Sequence, residues 1–413
     1  MYLMLPGVLL RLFVKSLKSP AYRERWHERL GFGQELAASG AIWVHAVSVG
    51  EVQAAAPVIR LLRETYPRRP LVITTTTPTG ADQVMKLFGD QVIHTYVPYD
   101  LPDAVARFLH RSRPQLALIM ETEVWPNLFH SCQRQGIPLL MINARMSEQS
   151  ARGYRRLAAL TRSTLNGVSA VAAQAEADAE RLIALGVPQN RLKVTGNTKF
   201  DAQLAASLRE QAESERLAWG IQRPVWIAAS THEGEEAVIL EAHRQLLTQR
   251  PEALLVLVPR HPERFESVAA MLEGDGWNYS RRSIHQPVEG NTQVYLADTM
   301  GELQFLFGTA DAAFIGGSLV PVGGHNPIEA AAFGVPVLFG PYRHNFSDIS
   351  SQLISQGAAR EVGSADSLAQ VLALLLNDVQ FRQQWGEQGK ALVEANRGAR
   401  DMVLAMIRQV LPV

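Results

Sequence analysis

From Ala41 onward the sequence alternates short apolar runs with helical patterns, and it does so twice. AIWVHAV, LVITTTT, VIHTYVPYD, QLALIMET, PLLMINAR, VSAVAAQ and LKVTGNTKF carry the rhythm to about Phe200, separated by helical or turn segments. After a charged helical stretch around LREQAESERLAWG it resumes with PVWIAAS, ALLVLVP, TQVYLAD, AAFIGG and VPVLFG, with AAREVG a weaker strand candidate. Short runs that are apolar throughout and spaced by helices specify mostly parallel strands covered on both faces. The sequence therefore predicts an α/β chain of two similar units, joined near residues 200–220, with a cleft between them. Its 413 residues exceed the size at which one hydrophobic core stops growing, which agrees with two domains. The closing segments QFRQQWGEQGKALVEANRG and MVLAMIRQVL are helical with no strand after them, and are expected to pack back across the cleft.

Charge and cysteine content narrow the partners. The 40 basic and 40 acidic side chains cancel to a formal net charge of +0, so no whole-protein field attracts a polyanion such as nucleic acid. Cys132 is the single cysteine and has no internal disulfide partner, and no Cys/His cluster has zinc spacing. The N-terminal MYLMLPGVLLRLF is apolar but is broken by Pro6 and Arg11. It falls short of the roughly 20 residues that span a bilayer and lacks the marks of a signal peptide. Behind it Arg11, Lys15, Lys18, Arg23, Arg25 and Arg29 outnumber Glu24 and Glu28. An apolar patch with a basic collar suits the interface of an anionic membrane. The same segment also fits a helix docked on its own domain, and both readings stand at this point.

In open α/β sheets ligands bind beyond the C-terminal ends of the strands. Neither unit carries a dinucleotide-type GxGxxG after its first strand or a GxxxxGK[ST] anywhere, which argues against nicotinamide dinucleotides and P-loop triphosphates. In the second unit, GGSLVPVGGHNPIEAAAFGVPVLFGP places Asn326 as an N-cap before a helix starting near Pro327. Gly323 and Gly324 would let the backbone approach a ligand closely. Glu329 either closes a capping box with Asn326 or turns toward a ribose. Three more strand-end loops are polar: ASTHEGEE, PRHPERF and DTMGEL. Ser230 and Thr231 offer hydroxyls, Arg260 and His261 suit phosphate or base, and Met300 and Gly301 begin a helix whose N–H groups would face an anion. Together they predict a nucleotide mono- or diphosphate sugar held by the second unit. In the first unit, HAVSVGE ends a strand in Ser48, Gly50 and Glu51, and LIMETEVWPN ends another in Glu121 and Glu123. A cleft carboxylate whose pKa is tuned upward can deprotonate an attacking hydroxyl. The alternative reading of Glu51 is a carboxylate stabilised at a helix N-terminus by the dipole.

Taken in order, HAVSVGE, TTTTPTG, YVPYDLP, LIMETEVWPN, the Asn143–Arg145 triplet, VTGNTKFD, STHEGEE, PRHPERF, DTMGEL and GGHNPIEAAAFGVPVLFGP resemble the 3-deoxy-D-manno-octulosonic acid (Kdo) transferases of Gram-negative bacteria. The likeness runs from the first tens of residues almost to the C-terminus. It implies the GT-B glycosyltransferase fold, two Rossmann-like domains facing a cleft. The implied reaction is inverting transfer of Kdo from CMP-Kdo to lipid IVA, the lipid A precursor, at the cytoplasmic face of the inner membrane, without a cofactor or metal. Carried onto this sequence, the family's general base falls on Glu51 and a second important carboxylate on Glu121, with Ser48, Gly50 and Glu123 on the acceptor side. Ser230, Thr231, Arg260, His261, the Met300–Gly301–Glu302 turn, Asn326 and Glu329 fall on the CMP-sugar side. The implied division is a membrane-associating segment over 1–40, an acceptor-binding domain over 41–205, a CMP-sugar-binding domain over 215–395 and a C-terminal helix over 396–413. A nucleotide-sugar epimerase of the same fold and a non-catalytic sugar-phosphate binding module are the rival readings.

Overall fold

The computed structural model describes residues 20–36, 40–201 and 206–412. They form two compact units, divided after Asp201 and again before Asn396. In the first unit β1 (Ala41–His45), β2 (Leu71–Thr75), β3 (Ile93–Tyr96), β4 (Pro114–Met120), β5 (Leu139–Ala144), β6 (Ala170–Ala173) and β7 (Leu192–Val194) form one sheet in the order β3-β2-β1-β4-β5-β6-β7. Every neighbouring pair is parallel. All of β1 and β2 is buried, which is why these strands read as unbroken apolar runs. On one face, Val52, Ala55, Ile59 and Leu62 of the helix Val49–Thr65 join Val44, Ile73 and Leu118; on the other, Trp43 packs with Phe108, Leu128 and Leu182.

The C-terminal helix Ala399–Val410 belongs to this first unit, where Val403, Leu404, Met406 and Ile407 enter the same core as the helix Val49–Thr65. Two hydrogen-bonded contacts hold its ends. Asp201 accepts from Gly398 N (2.6 Å) and Arg400 N (2.7 Å) at its start, and Tyr66 Oη donates to Leu411 O (2.6 Å) at its end. The carboxylate at a helix N-terminus gains from the dipole as well as from the two bonds.

The second unit repeats the plan with β8 (Val225–Thr231), β9 (Leu254–Pro259), β10 (Tyr279–Arg281), β11 (Val294–Leu296), β12 (Ala312–Ile315), β13 (Val337–Phe339) and β14 (Ala359–Glu361), ordered β10-β11-β9-β8-β12-β13-β14. This sheet is also parallel throughout. The expected α/β class is the observed one. β10 has no counterpart among the sequence-predicted strands, because three residues, YSR, carry no apolar run. It is held as an edge strand by Arg281, which donates to Asp298 (2.7 Å).

The N-terminal expectation is corrected in part. Arg25 and Arg29 were counted in a lipid-facing collar, yet both are committed to the first unit. Arg29 is 2% exposed, donates to Thr76 O (2.9 Å) and lies 4.1 Å from the Tyr96 ring centroid. Arg25 pairs with Glu28 (2.8 Å), whose other oxygen accepts from Thr95 and Tyr96 N on β3. The apolar run to Phe13, with Arg11, Lys15 and Lys18, lies outside the described residues.

Candidate functional site

The strand order reverses direction between β1 and β4 in the first unit, and between β8 and β12 near the middle of the sheet in the second. The loops leaving such a pair diverge to opposite faces and open a crevice at the carboxyl edge. In the first unit the sequence-selected residues follow β1 and β4; in the second they lie at the end of β8 and on the segments following β9, β11 and β12.

In the first unit, β1 runs into Ser48, the N-cap of the helix Val49–Thr65, and places Glu51 at the third helical position. Glu51 Oε2 accepts from Val47 N (2.8 Å), while Ser48 Oγ accepts from Glu51 N at 3.5 Å. This is the capping geometry that the alternative reading required. It does not account for the electrostatics. Glu51 is only 9% exposed, and burial followed by the nearby charge of Glu121 pushes its pKa up to about 8, against the opposing pull of the Val47 N–H and Lys199. The bond from Val47 N–H works to keep the carboxyl ionised, but burial and the like charges outweigh it. Gly50 stands beside it with space where a side chain would be: an added Cβ would meet only Ser48 Oγ, at 3.9 Å. The fold itself does not require glycine at this position.

β4 delivers the other two carboxylates. Glu121 adopts φ +53° while its N–H continues the ladder to Ile142 O (3.0 Å), so the chain turns sharply at the edge of the sheet. Glu123 accepts from Trp125 Nε1 (2.9 Å), and its pKa is raised chiefly by burial, with Glu121 adding to the effect. The structure thus brings Glu51, Glu121 and Glu123 within one another's electrostatic reach. Lys199, on the loop after β7, was not singled out from the sequence; a lone lysine in VTGNTKFD carries no spacing signal. It supplies a positive charge that lowers the Glu51 pKa. Removing the like charge by Glu121→Gln should lower the Glu51 pKa and shift the alkaline-rising limb of a pH–kcat/KM profile to lower pH. An unmoved profile would mean that Glu121 does not act through Glu51.

The second unit gathers Arg260, His261, His232, His325, Asn326 and Glu329. Arg260 follows β9 and is half-buried, with no ion-pair partner among the described residues. Three imidazoles surround it. His232 and His325 stack at 5.0 Å with their Nε2 atoms 2.8 Å apart, and His261 meets His232 edge-on at 5.2 Å. Burial, then the positive charge of Arg260, drives His325 down to about 3, and His232 is lowered mainly by burial. Both rings are therefore neutral at physiological pH, and Arg260 supplies positive charge beside them. Glu329 sits within its field. Burial raises the Glu329 pKa while hydrogen bonds from Asn326 and Gln304, and the charge of Arg260, oppose the rise.

Several expectations are corrected here. The capping box between Asn326 and Glu329 does not form. Asn326 Oδ1 accepts from Ile328 N (3.1 Å), and its side-chain amide donates to Glu329 Oε1 (3.3 Å), leaving the main-chain donor out of the exchange. Thr231 is fully buried and its hydroxyl donates to Glu236 (2.8 Å), so it is not free to reach a ligand. Ser230 stays at the sheet edge with φ +59°. Glu302 gives its carboxylate to Arg282, through two bonds of 2.7 Å, and to Thr299. The helix expected to start at Met300 begins at Leu303, leaving Met300 half-exposed and Gly301 at φ +89°. Gly323 makes room for the protein and not for a ligand: a Cβ there would lie 2.5 Å from His344 Nε2 and from Asn345 Nδ2.

Glu235 organises this edge and was missed. In STHEGEE it is one of three glutamates, and no spacing distinguishes it. It is wholly buried. One oxygen accepts from Ser318 N (3.0 Å) and Leu319 N (2.9 Å), the other from Gly317 N (2.7 Å) and His232 N (2.9 Å). It thereby ties the loop after β12 to the loop after β8. Gly316 completes the join, since a Cβ there would fall 2.4 Å from Ser230 O.

Known proteins resemble both units. Residues 24–202 match the 3-deoxy-D-manno-octulosonic-acid transferase (kdotransferase) family, and residues 222–392 match glycosyl transferases group 1. A 3-deoxy-D-manno-octulosonic acid transferase of Haemophilus influenzae is 42% identical over 409 residues, covering 98% of this chain and 96% of its own. The chain belongs to the Kdo transferase family. A second member, from Bordetella pertussis, is 40% identical over 87% of this chain and 84% of its own. The protein is a glycosyltransferase that transfers Kdo. In structure, the UDP-GlcNAc 2-epimerase of Neisseria meningitidis superposes with a TM-score of 0.58 at 17% identity, covering 89% of this chain and all of the epimerase. That likeness speaks to the two-domain fold alone. Among the described residues of this Kdo transferase, no helix is long and apolar enough to cross a membrane.

Proposed function

We propose that this enzyme catalyses inverting transfer of Kdo from CMP-Kdo to lipid IVA in lipopolysaccharide biosynthesis, at the cytoplasmic side of the inner membrane. The observation that carries the reading is Glu51: a buried carboxyl at a strand-order reversal, raised to about 8 beside two further carboxylates. Glu51 in its ionised form takes the proton of the acceptor hydroxyl as the hydroxyl oxygen attacks the anomeric carbon of Kdo. The bond from that carbon to the CMP phosphate oxygen breaks, and CMP leaves with the electron pair. Inversion follows from this single displacement. Arg260, without an ion-pair partner among the described residues, is suited to receive the nucleotide phosphate and the charge it gains on departure. Glu329 is suited to accept from ribose hydroxyls, and the open surface at Gly50 to admit the acceptor. Incubating the purified protein with CMP-Kdo and lipid IVA, with products weighed by mass spectrometry, tests the whole reading. Product heavier by one or more Kdo units supports it; release of free Kdo or an epimerised nucleotide sugar with no acceptor consumed would sink it.

Glu329→Ala separates the ribose role from a purely structural one. Loss of a ribose-facing carboxylate should weaken CMP binding by about 1–3 kcal/mol in calorimetry. Unchanged CMP affinity with a lowered melting temperature would assign the carboxylate to the Asn326 turn instead.

A further inference from the structure

The Asn143–Arg145 triplet stands out in the sequence and has no part in the chemistry above. Asn143 lies near the end of β5, wholly buried and with φ +53°, a conformation that glycine and asparagine tolerate and most residues do not. Its main-chain neighbours hold the carboxylate turn after β4. Ile142 O accepts from Glu121 N (3.0 Å), and Arg145 O accepts from the Thr122 hydroxyl. Asn143 itself reaches the turn Thr198–Asp201 after β7. Its Oδ1 accepts from Thr198 N (3.0 Å), and the Thr198 hydroxyl donates onward to Ala54 O (2.8 Å) on the helix that carries Glu51. A second path leaves the same residue. Asn143 O accepts from Gln174 Nε2 (2.9 Å), Gln174 Oε1 from Asn197 Nδ2 (3.1 Å), and Asn197 Oδ1 from Lys199 N (3.0 Å).

The use of an amide here is informative. Asn143 Nδ2 is buried and has no hydrogen-bond partner among the described residues. Leaving a buried donor unpaired is costly. Aspartate would accept from Thr198 N with no orphan donor, but it would add a negative charge to an edge that already holds Glu51, Glu121 and Glu123. The position therefore requires an acceptor without charge. The charges that act on Glu51 come from two segments. Glu121 and Glu123, after β4, raise its pKa; Lys199, on the turn after β7, lowers it, as does the bond from Val47 N–H in its own loop. Asn143 is bonded to the turn that bears Lys199, and its neighbour Ile142 to Glu121.

We propose that Asn143 is a positioning residue for Glu51: with Thr198 it fastens the Lys199 turn to the Glu51 helix, so that the ammonium group stays within electrostatic reach of the carboxyl. This rests on the reading of Glu51 as general base, because a base buried among carboxylates must still ionise to take the acceptor's proton. Lys199 favours that ionised form, and Asn143 keeps Lys199 in place.

The test needs neither donor nor acceptor, so its failure is separable from failure of the proposed reaction, which turnover of Glu51→Gln decides. The unfolding free energy of a protein relative to its Glu51→Gln counterpart falls with pH above the unfolded carboxyl value and levels off at the folded pKa of Glu51. Denaturant unfolding from about pH 5 to about pH 10 locates that levelling point. Lys199→Met should move it upward by about half a pH unit or more, about threefold in proton affinity, because an opposite charge is gone. Asn143→Gly keeps the backbone conformation and Thr198→Val keeps the side-chain volume. Each should move the point in the same direction, and together by about as much as Lys199→Met. In a Lys199→Met background neither should move it further. The alkaline-rising limb of the pH–kcat/KM profile should follow the same shifts. If Asn143→Gly and Thr198→Val lowered stability equally at every pH and left the levelling point unmoved, Asn143 would be a structural residue only and the proposal would fall. Shifts that persist undiminished in the Lys199→Met background would overturn it as well, since Asn143 would then act on Glu51 by another route.

Discussion

Glu51→Gln should abolish nearly all transfer while leaving the fold and CMP binding intact. The amide preserves shape but takes no proton from the acceptor hydroxyl, and general-base contributions are typically about 10²–10⁴-fold. Single-turnover rates with CMP-Kdo and lipid IVA measure the loss; turnover within threefold of the parent would remove Glu51 from the chemistry. The same variant has a second signature. The folded-state pKa of Glu51 is raised from 4.5 to about 8, so the folded protein holds this proton more tightly than the unfolded chain does. Its contribution to stability is fully present below about pH 4.5 and is lost as pH climbs through about 8. Glutamine never ionises. The unfolding free energy of Glu51→Gln relative to the parent should therefore rise between pH 5 and pH 9, by up to a few kcal/mol at about 1.4 kcal/mol per pKa unit. A difference that stays flat across this range would mean that the carboxyl is not desolvated as described.

Glu235→Ala should be the most damaging single change in the second unit. Four backbone N–H groups lose their common acceptor at a wholly buried position. An unsatisfied buried donor costs about 1–3 kcal/mol, and partial re-solvation of the set still leaves a loss on the order of 3–5 kcal/mol. Glu235→Gln should recover only part of this, because one end of the amide presents N–H to N–H. Hydrogen exchange is the direct readout: Gly317, Ser318 and Leu319 amides should lose protection while β4 and β5 in the first unit keep theirs. Donor affinity should fall together with that protection, since His232 and the loop leading to His325 lose their shared anchor. Retained protection in the alanine variant would show that the loop is held by other contacts.

Much of this architecture is legible without coordinates. Strands buried on both faces must be apolar throughout, so the central strands appear as apolar runs; among the edge strands Ala359–Glu361 is only a weak candidate and Tyr279–Arg281 escapes. Ser48 and Glu51 are visible because strand-end loops in parallel sheets are where polar residues have a reason to sit. Other assignments required three dimensions. Thr231 and Asn326 have equal chemical standing in the sequence, yet one hydroxyl is sealed against Glu236 while the other side chain stands beside Glu329. Glu235, Glu236 and Glu302 are each one glutamate among several until their partners are known. Those partners are backbone amides 82 to 84 residues away, Arg264 and Arg282.

The sequence by itself determined the class of fold, the repetition of that fold, and the loops on which ligands could be held, because burial periodicity and helix-start chemistry are local properties. Ten motif blocks in order also carried the family. Only the tertiary structure decided which polar groups remain available and in what ionisation state. That depends on desolvation and on charges brought together by strand order. Glu51 neighbours Glu121 because β1 lies beside β4, a relation between residues seventy positions apart that no local pattern encodes.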